Sequence, residues 1–247
     1  MLLRSLAVLV AANIMNNRVA PRLAPLTSAL ATGALVAMAR RSGLSWEEIG
    51  FTHGLRGAKA GAALAAVVAA GYTVGIAVPH TRALFHDERA LSLSKAEVVE
   101  AALLQVPVGT VLLEEVGFRG ALYGMLRREH GTVTATAVSS ALFGLWHILP
   151  AIELARANPA LGELTSGGAT GAAIALASDG TSSVPVSGGA DVVKVVVGGV
   201  LSTAAAGVLF CELRRRGGLL APSLLHLATN SLGYLFARIA PAPPARR

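Results

Sequence analysis

The chain is short of charged residues. Asp, Glu, Lys and Arg make up 14% of its 247 residues, whereas an ordinary soluble domain has about 25%. A soluble domain of this length would need more charge to cover its surface, so that class is excluded. Intrinsic disorder is excluded as well, because disordered chains are poor in hydrophobic residues and 53% of this chain is hydrophobic. A membrane protein remains.

Aromatic residues and cysteine are also scarce. Aromatics amount to 4%, and Cys211 is the single cysteine, which excludes an intrachain disulfide and is interpreted as a small apolar packing residue. The net charge of +7 could indicate nucleic-acid binding, but no basic stretch is interleaved with aromatics. The Lys and Arg residues form short clusters between apolar runs, which is typical of membrane topology. We therefore expect a lipid bilayer and no nucleic acid as partner.

The chain is rich in long apolar runs. A membrane-spanning helix needs roughly 20 apolar residues. We predict an all-α, polytopic transmembrane helix bundle, a single membrane domain over residues 1–247 in the cell membrane. It has about six full spans and a short, uncleaved N-terminal helix over Leu2–Met15, where a cleaved signal peptide is the alternative. The six predicted spans are Leu23–Ala39, Leu55–Val78, 94–128, Val133–Pro150, Val192–Leu213 and Leu219–Ile239.

Shorter signals separate these runs. Ser45 with Glu48, and Ser94 with Glu97, have the spacing of capping boxes, which predicts a helix start at each. Pro107 lies inside a predicted span and is expected to kink it. Residues 165–189 are mostly Gly, Ser, Thr and Ala, which predicts a low-complexity loop.

Ionisable residues inside the spans carry the functional information. A charged side chain at the centre of a span costs about 2.5–3.5 kcal/mol on insertion scales, so each one requires a reason. All of them lie between residues 114 and 226, and Asn230 follows His226 by one helical turn. They are Glu114, Glu115, Arg119, His147 and His226.

The two adjacent glutamates are predicted to have different roles. Neighbouring helical residues differ by about 100°, so Glu114 and Glu115 should point to different faces. Glu115 and Arg119 are four residues apart and can form an ion pair, which we interpret as a structural link. Glu114 has no such partner on its own helix. An unpaired carboxylate in an apolar cavity suits a general base or acid.

The remaining candidates lie on two other helices. His226 and Asn230 share one helix face, so Asn230 could hold His226 or donate to a developing oxyanion. Phe143 precedes His147 by one turn, although a lone intramembrane histidine is more often a packing residue. This set could position water beside an amide, or Glu114, His147 and His226 could bind a divalent metal, zinc, with one open position. Weaker polar candidates are Gln105, Thr110 and Thr229.

These residues resemble the signatures of the CAAX-protease and bacteriocin-processing family, also called Abi, of intramembrane endopeptidases. The likeness covers roughly residues 96–237, which we therefore expect to be the catalytic core. The family's three signatures are Glu-Glu-x3-Arg, Phe-x3-His and His-x3-Asn. All three are intact and in order here, as Glu114-Glu115-x3-Arg119, Phe143-x3-His147 and His226-x3-Asn230.

The resemblance implies hydrolysis of a peptide bond in a hydrophobic or lipidated, membrane-associated peptide or protein. It implies that Glu114 activates water with help from His147, while His226 and Asn230 support the oxyanion. Supporting roles would fall to Glu115, Arg119 and Phe143. The family has also been described as metalloproteases, and the residues permit both mechanisms.

Two other functions use the same residues. One is a non-catalytic immunity or scaffold protein built on the same fold. The other is a proton-coupled transporter with the intramembrane Glu and His residues as a relay. A transporter would normally contain a repeated half, and this sequence shows none.

Overall fold

The computed structural model describes residues 1–166 and 189–241, and these ranges consist of helices joined by short turns. The predicted all-α membrane bundle is thereby confirmed as a fold class. The loop predicted at 165–189 lies almost wholly outside the described residues. The helices are α1 (Leu2–Ile14), α2 (Ala24–Arg41), α3 (Trp46–Ile49), α4 (Gly54–Ala77), α5 (Glu88–Leu91), α6 (Lys95–Glu100), α7 (Leu112–Glu114), α8 (Tyr123–Trp146), α9 (Ile148–Ala157), α10 (Pro159–Ser166), α11 (Gly189–Gly217) and α12 (Leu220–Ile239).

Several turns have other helical geometries. Two π-helical segments, π1 (Ala101–Val111) and π2 (Glu115–Leu122), join α6, α7 and α8 into one helical run. Pro107, which was predicted to kink this run, lies inside π1. α1 is followed by a π-helical turn, Met15–Val19, and by the 3₁₀ helix Pro21–Leu23. A second 3₁₀ helix, Pro79–Phe85, follows α4.

Four stretches among the described residues are long and apolar enough to cross a membrane, where about six were predicted. They are Pro21–Arg41, Trp46–Ala77, Lys95–Trp146 and Val192–Gly217. Two of the predicted spans, 94–128 and Val133–Pro150, lie mostly within Lys95–Trp146. The last predicted span is present as α12, but the polar residues that carry the third signature lower its hydropathy, and it is not among the four.

The stretch Lys95–Trp146 doubles back on itself. Gly131 has a non-helical backbone (φ 78°, ψ 175°) that divides α8. After Gly131, Ser139 donates to the carbonyl oxygen of Phe118, and further along Trp146 contacts Glu114. The contacts join residues ever farther apart along the chain, so the two parts lie antiparallel. The second part was predicted to end at Pro150, but α8 ends at Trp146 and His147 follows directly.

The packing of α4 depends on small residues, as its Ala/Gly-rich sequence predicts. Gly57 and Gly61 are the two buried residues of α4. A Cβ on Gly61 would lie 2.8 Å from the Cβ of Leu224 and 3.0 Å from the carbonyl oxygen of Ala221, both on α12. Close approach of α4 therefore holds α12, and with it His226, against the rest of the bundle.

Both predicted capping boxes are present. The Ser45 and Ser94 hydroxyls accept from the backbone N–H of Glu48 and Glu97, and each glutamate accepts in return from the backbone N–H of its serine. These reciprocal bonds satisfy backbone donors that have no partner within the helix. They start α3 and α6 where the sequence predicts.

Candidate active site

Glu114 lies at the centre of a cluster formed by three parts of the chain. It ends α7, and its side chain is 5% exposed. Its Oε1 accepts a 2.8 Å hydrogen bond from the indole Nε1 of Trp146. Its Oε2 lies 3.6 Å from Nε2 of His226 and 3.8 Å from Nε2 of His147. The structure thus brings together three of the four residues predicted to be catalytic.

His226 is held by Glu115. The Nδ1 of His226 lies 2.7 Å from Glu115 Oε1, and both side chains are buried. An ionised carboxylate only accepts hydrogen bonds, so Nδ1 is the donor. Glu114 and Glu115 therefore face the two nitrogens of one imidazole ring, although the sequence predicts that they point apart.

Local helix geometry accounts for this convergence. Glu115 begins π2, where the helix is wider and adjacent side chains are separated by a smaller angle than in an α-helix. Two carbonyls of π2 accept from neighbouring helices. Ser139 Oγ donates to Phe118 O over 3.0 Å, and Arg214 Nε donates to Arg119 O over 3.1 Å. Buried carbonyls require such partners, so these donors stabilise the widened segment.

His147 has a neutral partner. It follows the last residue of α8, and its Nδ1 lies 2.8 Å from the carbonyl oxygen of Phe143. A carbonyl oxygen only accepts, so Nδ1 donates here too, and in the neutral ring Nε2 carries the lone pair. That lone pair is on the nitrogen nearer to Glu114 Oε2. His147 also contacts the Phe143 ring, with the centroids 4.6 Å apart.

Arg119 and Phe143 support the cluster from one side. Arg119 is fully buried, and its Nη1 lies 3.6 Å from Glu115 Oε1. Its guanidinium carbon lies 3.6 Å from the centroid of the Phe143 ring, a cation–π contact. The predicted ion pair is present and borders the candidate site, because Glu115 also holds His226.

Asn230 is the fourth predicted catalytic residue, and it does not hold His226. Among the described residues the one hydrogen bond of its side chain is accepted from the hydroxyl of its neighbour Thr229, over 3.5 Å. The Thr229 hydroxyl also donates to the carbonyl oxygen of His226. Of the weaker candidates, Gln105 donates to exposed Glu100 and is not part of the cluster. Of the two roles predicted for Asn230, that of holding His226 belongs to Glu115.

A zinc site was the alternative use of these residues. No group of three or more His, Cys, Asp or Glu side chains within residues 1–166 and 189–241 has an arrangement that could hold a metal ion. One Glu114 oxygen is also occupied by Trp146. Zinc remains a prediction that metal analysis can test.

Trp146 is the site residue that the sequence analysis missed. It belongs to none of the three signatures, although it directly precedes His147. The available signal was that a buried indole N–H usually finds a hydrogen-bond partner. Glu114 was a carboxylate in need of one.

Comparison with known protein families identifies the chain. Residues 99–232 match the family model described as Type II CAAX prenyl endopeptidase Rce1-like. The chain belongs to this family. Neither the curated proteins nor the solved structures contain a significant match. The matched residues include all three signatures, and membership indicates an intramembrane endopeptidase in general.

Proposed function

We propose that this chain hydrolyses a peptide bond in a membrane-associated, lipidated peptide or protein, with water activated by Glu114. The observation that carries the proposal is the convergence of the free oxygen of Glu114 with the Nε2 atoms of two histidines. Separations of 3.6 and 3.8 Å are too long for direct hydrogen bonds. The proposed reaction therefore places one water molecule against these atoms.

Different Nδ1 partners suit the two histidines to different tasks. His147 donates to a neutral carbonyl, so its Nε2 is available to accept a hydrogen bond from the water and orient it toward Glu114. His226 donates to the Glu115 carboxylate, which is a negative partner for a doubly protonated ring. In that form Nε2–H donates to the oxyanion. Asn230, on the same helix, adds its amide to the oxyanion when substrate is bound.

The reaction balances with these groups alone. The water oxygen forms a bond to the scissile carbonyl carbon, and its proton passes to Glu114 Oε2 with help from His147. Negative charge develops on the carbonyl oxygen beside His226. When the tetrahedral intermediate collapses, the C–N bond breaks and the leaving amine takes the proton from Glu114.

A prenylated peptide tests the proposal. The purified chain in lipid vesicles is incubated with a peptide that carries a prenylated cysteine near its C-terminus, and the products are identified by mass spectrometry. We expect cleavage by the wild type and at least a 100-fold slower rate for Glu114→Gln, since general-base catalysis contributes about 10²–10⁴-fold. Glu129→Gln is the matched control, because Glu129 is an exposed carboxylate on the same helical run. Full turnover by Glu114→Gln would exclude the proposed base.

Two further arms separate the alternatives. The same peptide without the prenyl group shows whether the lipid is required. Metal content by mass spectrometry and turnover after chelator treatment test zinc, which predicts about one metal ion per chain and inhibition. The immunity or scaffold alternative predicts two results. The chain cleaves none of these peptides, and the Glu114→Ala, His147→Ala double variant retains the cellular phenotype of the wild type.

A further inference from the structure

The hydrogen bond between Trp146 and Glu114 has a consequence for the direction in which Glu114 acts. A carboxylate has two oxygens of similar basicity, and a base that must face a fixed water needs only one of them directed at it. The indole Nε1 donates to Oε1 over 2.8 Å. Oε2 has no hydrogen-bond partner among the described residues and faces both histidines.

The indole is itself fixed in place. Its ring packs against Phe118 in an edge-to-face contact, with centroids 5.4 Å apart. The backbone carbonyl oxygen of Trp146, at the C-terminal end of α8, accepts a 2.9 Å hydrogen bond from Asn13 Nδ2. Carbonyls in the last turn of a helix lack partners within the helix, so Asn13 supplies one. Asn13 belongs to α1, outside the residues matched by the family model.

We propose that Trp146 is a positioning residue for Glu114. Its N–H binds Oε1 and thereby directs Oε2 at the water between His147 and His226, while Asn13 holds the backbone of Trp146 in place. The proposal rests on the proposed function for its effect on turnover. The contact itself can be tested without any turnover.

Kinetics form the first test. Trp146→Phe keeps an aromatic ring but removes the N–H. We expect kcat to fall about 10- to 100-fold, because hydrogen bonds to charged groups are among the stronger ones. KM should change less than about twofold, since no group that contacts substrate is removed. Trp46→Phe is the matched control, because Trp46 is the other tryptophan and is exposed. Equal kcat values for the two variants would overturn the proposal.

A spectroscopic test covers the case in which Trp146→Phe fails to fold. The Trp46→Phe chain has one tryptophan, so its indole ¹H–¹⁵N signal comes from Trp146 alone. Glu114→Ala in this background should move that signal toward the position of an indole without an acceptor, and Glu114→Gln should move it less. Glu129→Ala should leave it in place. An unmoved signal in both Glu114 variants would overturn the proposal.

The hydrogen bond from Asn13 to the backbone of Trp146 can be tested separately. Asn13→Ala should lower kcat by a smaller factor than Trp146→Phe, about 3- to 10-fold, because it removes a bond to the backbone and keeps the indole. An unchanged kcat would remove Asn13 from the proposal. A chain that cleaves no peptide but shows the indole shift would contradict the proposed function and leave the positioning of Glu114 intact.

Discussion

His226 donates from Nδ1 to Glu115 Oε1 over 2.7 Å, and this bond connects the buried Glu115–Arg119 pair to the candidate site. Glu115 was interpreted from the sequence as a structural link to Arg119, and the family resemblance assigned it a supporting role. Its position gives it two partners, a permanent cation at 3.6 Å and an imidazole. Changes at Glu115 are therefore expected to affect both stability and turnover.

Glu115→Gln is predicted to unfold the chain more easily. It leaves the positive charge of Arg119 buried without a carboxylate, and breaking a buried pair in this way costs about 3–5 kcal/mol. Thermal unfolding in detergent measures the loss. Adding Arg119→Met should restore part of the stability but not the turnover. A melting temperature equal to that of Glu129→Gln would contradict this prediction.

The two histidines are predicted to respond differently to substitution by Gln. Both variants should lower kcat about 100-fold or more, because His147 assists the proton transfer and His226 stabilises the oxyanion. His226→Gln should also lower the melting temperature, because Glu115 would lose a buried hydrogen-bond partner. His147 is the more exposed of the two, with 21% of its side chain accessible, so His147→Gln should melt near the wild-type temperature. Equal melting temperatures for the two variants would refute the difference.

Asn230→Ala is predicted to separate catalysis from stability. Its one hydrogen bond among the described residues is the long contact with Thr229, so the free energy of unfolding should change by less than about 0.5 kcal/mol. If its amide binds the oxyanion, kcat should fall about 10²–10³-fold. Stopped-time assays and thermal unfolding of the same preparation measure both. Unchanged kcat would place Asn230 outside the reaction.

Arg214 is predicted to be a stability residue, in contrast to its neighbour Arg215. Arg214 is buried, donates to the carbonyl oxygens of Arg119 and Glu48, and stacks on Tyr123 at 4.6 Å. Arg214→Met should cost about 2–3 kcal/mol, since one buried and one part-buried carbonyl lose their donor. Arg215 is half-exposed and pairs with Glu212, so Arg215→Met should cost less than about 1 kcal/mol. Chemical denaturation that ranks them the other way would refute this.

The glycines of α4 provide a test of its packing. Gly61→Ala would place a methyl group 2.8 Å from Leu224 Cβ, and overpacking of this kind costs about 1–3 kcal/mol. Gly71 is on the same helix, and a Cβ there would meet no atom within 4 Å. Gly71→Ala should therefore be neutral or stabilise by up to about 1 kcal/mol through helix propensity. Thermal unfolding should show a lower melting temperature for Gly61→Ala and an unchanged or higher one for Gly71→Ala.

Local signals predicted much of the helical framework. The capping boxes at Ser45 and Ser94 determine where α3 and α6 begin, because their bonds connect residues three apart. The end of α8 was placed too late, at Pro150. Proline is tolerated in the first turn of a helix, and Pro150 lies near the start of α9. His147 consequently lies at the junction of two helices.

Composition and periodicity identify this chain as a helical membrane protein with a few polar residues among apolar ones, since each reports whether a side chain suits lipid or water. They do not show which of those polar residues are partners in the fold. The hydrogen bond between Glu114 and Trp146 joins residues 32 positions apart, and the one between Glu115 and His226 joins residues 111 positions apart. Such contacts depend on how the helices pack and on the widened turn at Glu115, and no local pattern encodes either.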